Sequence, residues 1–88
     1  MPAKLLYTRH ALKDLSNLPL QISSRILGKL DFFVAQNNPL LFAKKLVDNK
    51  EGQYRFRVGD YRVIFDVDSS GNIFILIILT IKHRREAY

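Results

Sequence analysis

Three arginines, Arg55, Arg57 and Arg62, stand in the stretch YRFRVGDYRVIF at residues 54–65, alternating with aromatic and aliphatic residues around a Gly-Asp pair. A guanidinium stays charged at any working pH, and its planar fork matches two oxygens of a phosphate. A second cluster, KHRREAY at residues 82–88, sets Lys82, Arg84 and Arg85 beside the imidazole of His83 and the phenol of Tyr88. His83 is the side chain there that exchanges a proton near neutral pH. The ring of Tyr88 is suited to holding an unstacked base. Cations, an imidazole and a phenol, without carboxylate pairs or metal-ligand clusters, suit the cleavage of RNA by its own 2′-hydroxyl. That reaction needs a base at the 2′-oxygen, cations on the phosphoryl oxygens and an acid at the 5′-oxygen. It calls for no metal and no cofactor.

The elements that must position these groups are strands. Residues 54–58 and 61–68 alternate with period two, and Gly59-Asp60 between them is a two-residue loop with glycine first, as primed hairpin turns prefer. Such a loop sets Val58 opposite Tyr61, Arg57 opposite Arg62, Phe56 opposite Val63 and Arg55 opposite Ile64. Tyr54, Phe56, Val58, Tyr61, Val63, Phe65 and Val67 then share one face, and the three arginines share the other with Ile64. Like charges directly opposite are unfavourable, and no acidic residue lies between them on that face; Asp66 and Asp68 share it but sit farther along the strand, away from Arg62. An isolated arginine pair is more often a solvated face with its side chains splayed apart. The basic tail, which leaves the end of the next strand directly, shifts the balance towards an anion site.

Upstream, residues 4–7 (KLLY) form a short strand and Thr8 offers a helix N-cap. Ala11, Leu12, Leu15 and Leu18 recur at helical spacing, and Pro19 separates this helix from a second, which runs to about Gln36. The apolar stripe of the second helix is Ile22, Ile26, Leu27, Leu30, Phe33 and Val34. Asn37-Asn38-Pro39 breaks it, a short helical turn and a polar loop follow, and residues 69–72 (SSGN) turn the hairpin into a third strand, 73–81. That strand is apolar almost throughout, which makes it the central one. The expected fold class is α+β: an N-terminal strand and an antiparallel helical hairpin packed on a curved, largely antiparallel four-stranded sheet.

The chain has 88 residues, which accommodates one domain over 1–88, and its net charge of +6 with a pI near 9.9 implies an anionic partner. It has no cysteine, which excludes a disulfide framework, a thiolate metal site and a cysteine nucleophile. The longest apolar run, IFILIIL at 73–79, is too short to span a bilayer as a helix, and no signal-peptide run precedes it. A soluble, cytoplasmic protein is expected. His10, Lys44, Lys45 and Lys50 read as solvated surface, Phe33 as core and Phe32 as partly covered.

Taken together, the elements G-x-Y-R-V-I-F and H-R-R-E-x-Y, with NNP…AKKL at 37–46, resemble the RelE/ParE superfamily of toxins from type II toxin–antitoxin systems. The resemblance covers nearly the whole chain. It implies a helical hairpin against a curved sheet. It also implies a ribosome-dependent endoribonuclease that cuts mRNA in the A site, held in a hetero-oligomer by an acidic, RelB-like antitoxin. Arg62 then stands at the family's hairpin arginine and holds the scissile phosphate. Arg84 stands near its C-terminal arginine and stabilises the transition state. Tyr88 stands at its terminal tyrosine and orients the nucleotide. Lys82 and Arg85 add phosphate contacts. Arg55 and Arg57 stand where RelE proper carries a lysine pair, and arginine is a very poor base. This departure moves the expected base to His83. ParE-like members share the fold but poison DNA gyrase and lack the nuclease residues. A third reading, resting on charge alone, is a non-enzymatic module that binds nucleic acid.

Overall fold

Thr8 closes the first strand and opens the first helix. Its hydroxyl accepts from the Ala11 backbone N–H, 3.1 Å away, as an N-cap should, and donates to the carbonyl of Ile78 at 2.9 Å. In this computed structural model, which describes residues 3–48 and 50–85, the order is β1 (Ala3–Tyr7), α1 (Arg9–Ser16), α2 (Leu20–Val34), a 3-10 turn (Pro39–Phe42), β2 (Ala43–Lys45), β3 (Tyr54–Val58), β4 (Tyr61–Ser70) and β5 (Ile73–His83). Pro19 is the N-cap of α2, and Asn38 caps the 3-10 turn through its side chain.

The sheet has five strands in the order β1-β5-β4-β3-β2. Four were expected. The fifth, β2, is three residues long, too short to show a period of two, and only its antiparallel pairing with β3 reveals it as a strand. β1 pairs parallel to β5, and the remaining neighbours are antiparallel. The β3–β4 register is the one that the two-residue loop requires, and Gly59 supplies its positive φ of 59°. The second turn is tighter than the sequence suggests: β4 reaches Ser70, leaving Gly71 and Asn72 as the loop. β5 lies between β1 and β4 as expected. Leu76, Ile78 and Ile81 lie in the core, Ile77 and Leu79 are half-buried, and Thr80 is buried next to Ile81.

The core lies between the helices and one sheet face. Phe56, Val63, Phe65 and Ile78 are fully buried there together with Ala11, Ile26 and Leu30. A column of rings organises it: Phe42 stacks on Phe33 at 5.1 Å, Phe33 on Phe56 at 4.6 Å, and Phe56 on Phe65 at 4.4 Å. Each fully buried aromatic contributes about 3 kcal/mol of apolar burial. This column fixes which way β3 and β4 face, and therefore sends Arg55, Arg57 and Arg62 to the far side.

At its C-terminal half β5 outruns β1, and α1 covers the edge left open. The Asp14 carboxylate accepts from the Ile81 N–H at 3.0 Å and from the Thr80 hydroxyl at 2.7 Å. A bulge between Ile64 and Phe65 shifts the β4–β5 register, so that Thr80 faces Ile64 and Ile78 faces Phe65. Among the described residues no helix is long and apolar enough to cross a membrane.

Candidate functional site: a cation row on the far face of the sheet

Register builds the site. Arg57 faces Arg62 across β3 and β4, and Arg62 faces Lys82 across β4 and β5. Three cations thus lie in one cross-strand row. One step along, Lys44 of β2 faces Arg55 of β3. These are three like-charge pairs directly opposite, each of which costs stability in a sheet. Such an arrangement persists where other interactions hold the strands, and here the aromatic column on the reverse side does so.

Arg62 is the unusual member, at 5% exposure. Its Nη1 donates to the carbonyls of Tyr61 at 3.3 Å and Gly59 at 3.5 Å, long contacts that aim the guanidinium back towards the hairpin turn. Its Nε is buried with no hydrogen-bond partner. Among the described residues no carboxylate pairs with Arg62, Arg57 or Arg55. A buried guanidinium without an acid is expensive. Nε is also closed to solvent, so an anion must first part the side chains over that edge, and would then satisfy Nε and offset the repulsion from Arg57 and Lys82 together.

Among the described residues one carboxylate reaches the row itself, from a part of the chain distant in sequence. Residues 50–53 cross the sheet on the way into β3. There Glu51 forms an ion pair and hydrogen bond with the Lys82 ammonium. The crossing is pinned at its β3 end through the backbone and side chain of Gln53: Gln53 N–H donates to Asp66 Oδ1 at 2.9 Å, and Gln53 Oε1 accepts from the Val67 N–H at 2.8 Å. Gly52 lies so close that a Cβ there would stand 2.7 Å from Ile64 Cγ2 and 2.9 Å from Leu79 Cδ1. Glu51 and Lys44 carry no signal in the sequence, because one sits in an aperiodic loop and the other on a three-residue strand. Long-range pairing alone brings them in.

The tail residues divide. Lys82 joins the row. His83 does not: β-alternation turns it to the helix side, opposite Tyr61, where the two rings meet edge to face at 5.2 Å. His83, the expected base, therefore lies on the opposite sheet face from Arg62. Arg84 follows the end of β5 at the hairpin tip, its N–H donating to the Asp60 carbonyl at 2.7 Å and its Nε 3.8 Å from Asp60 Oδ1. Arg85 is exposed, and its N–H donates to His83 Nδ1 at 3.2 Å. Tyr88 lies outside the described residues.

The fold and the site define a class, the RelE/ParE toxins, and the comparisons agree. Residues 5–88 match the family model described as the ParE toxin of the type II toxin–antitoxin system, parDE. The chain belongs to this toxin family. Among solved structures it is similar to the RelBE2 toxin–antitoxin complex of Mycobacterium tuberculosis, at 25% identity and a TM-score of 0.71, over 96% of this chain and 100% of the matched one. It is also similar to the RelB–RelE antitoxin–toxin complex of Methanococcus jannaschii, at 26% identity and a TM-score of 0.58, over 94% of both chains. No curated protein matches.

Proposed function

We propose that this toxin is an endoribonuclease that cuts mRNA on the ribosome by attack of a 2′-hydroxyl on the adjacent phosphate, and so stops translation. The observation that carries this reading is Arg62, buried between Arg57 and Lys82 with its Nε unpartnered. Nε–H and the neighbouring Nη2–H form a fork that suits two non-bridging phosphoryl oxygens. Charge grows on those oxygens as the 2′-oxygen bonds to phosphorus, and preorganised cations stabilise it most where water is excluded. Arg57 and Arg84 flank this centre, and Arg55 and Arg85 extend the cationic surface along the RNA backbone. Tyr88 takes the stacking role that the resemblance assigns to it.

Two protons must move. The 2′-hydroxyl loses one as the O2′–P bond forms, and the departing 5′-oxygen gains one as the P–O5′ bond breaks, leaving a 2′,3′-cyclic phosphate. Glu51 is the carboxylate that the fold delivers to the row, and its neighbour Lys82 is an ammonium able to donate. On this reading Glu51 takes the first proton and Lys82 supplies the second, while His83 on the helix side supports the tip by packing on Tyr61.

The structural neighbours are toxins bound to RelB-type antitoxins. That likeness supports an acidic antitoxin as the partner of this chain, in a hetero-oligomer, with the free toxin acting in the cytoplasm. A second reading, a toxin that acts on DNA gyrase, is favoured by the ParE family match itself. Induced expression separates the two. The nuclease reading requires mRNA cut at ribosome-bound codons, with cutting reduced about 10²–10³-fold in Arg62→Ala and about 10²–10⁴-fold in Glu51→Gln, and retained in His83→Gln. Arrested replication with intact mRNA would replace it with the gyrase reading.

A further inference from the structure

Glu51 and Gly52 have a consequence for the ligand-free toxin, one that rests on the phosphate-holding role of the cation row. Lys82 is the one member of the row paired with an acid among the described residues, and that acid is Glu51. The pairing is set by the chain. Gln53 is latched to Asp66 and Val67, and Gly52 is pressed on Ile64 and Leu79 with no room for a Cβ, so residue 51 is held over the row from both backbone and side chain. The Glu51 carboxylate engages the Lys82 ammonium, the group that a phosphate bridging Arg62 and Lys82 would also need. Both anions seek the same ammonium, and a carboxylate and a phosphate repel each other at close range.

We propose that Glu51 is a built-in competitor for anions at this site. A phosphate entering the row must part Glu51 from Lys82, and Gly52 is the positioning residue that keeps the competitor in place. The ligand-free toxin therefore holds RNA less tightly than its cation row alone would. The same exchange frees the Glu51 carboxylate for the incoming 2′-hydroxyl only once a phosphate is seated.

The sign of this effect is opposite to that of a contact residue, which makes it testable. Binding is measured with a short single-stranded oligoribonucleotide bearing 2′-O-methyl groups, which cannot be cleaved, and with inorganic pyrophosphate followed through the backbone amide shifts of Arg62 and Lys82. Glu51→Gln should tighten both, by up to about fivefold for the loss of one partly exposed ion pair. Gly52→Ala, which lifts the segment and leaves the charge in place, should also tighten both. Asp31→Asn is the control, making the same change in net charge at an exposed position on α2. The gain in Glu51→Gln should vanish when Lys82→Gln is added. A Glu51→Gln chain that binds no tighter than Asp31→Asn, or more weakly than the wild type, would overturn the proposal. Pyrophosphate binding is read without any cleavage, so intact mRNA in the ribosome experiment would overturn the nuclease reading and leave this comparison standing.

Discussion

Arg62 carries a cost that its substitution should reveal. It is buried, flanked across the strands by Arg57 and Lys82, and its Nε has no partner. Replacing a buried charge by an apolar side chain of similar length often stabilises a protein, by on the order of 1 kcal/mol or more. Arg62→Met should therefore raise the melting temperature, by roughly 4–8 °C per kcal/mol for a domain of this size, while abolishing binding of the oligoribonucleotide. A fall in melting temperature would mean that the carbonyls of Gly59 and Tyr61 satisfy the guanidinium better than their distances suggest. The identity of this residue was legible in the sequence, because a two-residue turn leaves one register. Its burial was not, because β-alternation on a hairpin says which face a side chain takes and nothing of what lies over that face.

At the scale of elements, α1 and β5 depend on one carboxylate. Asp14 satisfies both the Ile81 N–H and the Thr80 hydroxyl at the edge that β1 leaves open. Asp14→Ala strands both donors and should cost about 1–3 kcal/mol in urea unfolding, with amide exchange rising first in the last residues of β5. β1 makes its own test at high pH. The Tyr7 phenol is pushed up from 10.0 to about 12, first by burial and then by the negative charge of Asp31. A raised pKa means that the fold favours the neutral phenol. The stability that this contributes is complete below pH 10 and is lost as pH climbs through about 12. Tyr7→Phe should remove that alkaline loss, and thermal unfolding between those limits checks it. Helices and hairpin were readable from Thr8, Pro19 and Gly59, each a residue with one strong local preference. β2 and the Ile64/Phe65 bulge were not, because nothing within three residues distinguishes AKK as a strand or marks the slip.

For the molecule as a whole, the net charge of +6 becomes a statement about ligands once the row is in place. An anion that binds the folded state alone stabilises it by mass action, by about 1.4 kcal/mol at ten times its Kd. Inorganic phosphate at constant ionic strength should raise the melting temperature of the wild type and leave Arg62→Met unchanged. An equal rise in both would assign the effect to diffuse surface charge. The arginine alternation, the turn and the basic tail are local properties of the chain, so the sequence by itself carried the resemblance to the toxin family and named Arg57, Arg62 and Lys82, the three cations of the row. The tertiary structure alone decided that Arg62 is buried, that His83 turns to the helix side, and that Glu51 crosses the sheet to meet Lys82. The first and the last depend on what a strand or a loop packs against, and the side that His83 takes depends on the register shift at Ile64/Phe65, which no local pattern in the sequence marks.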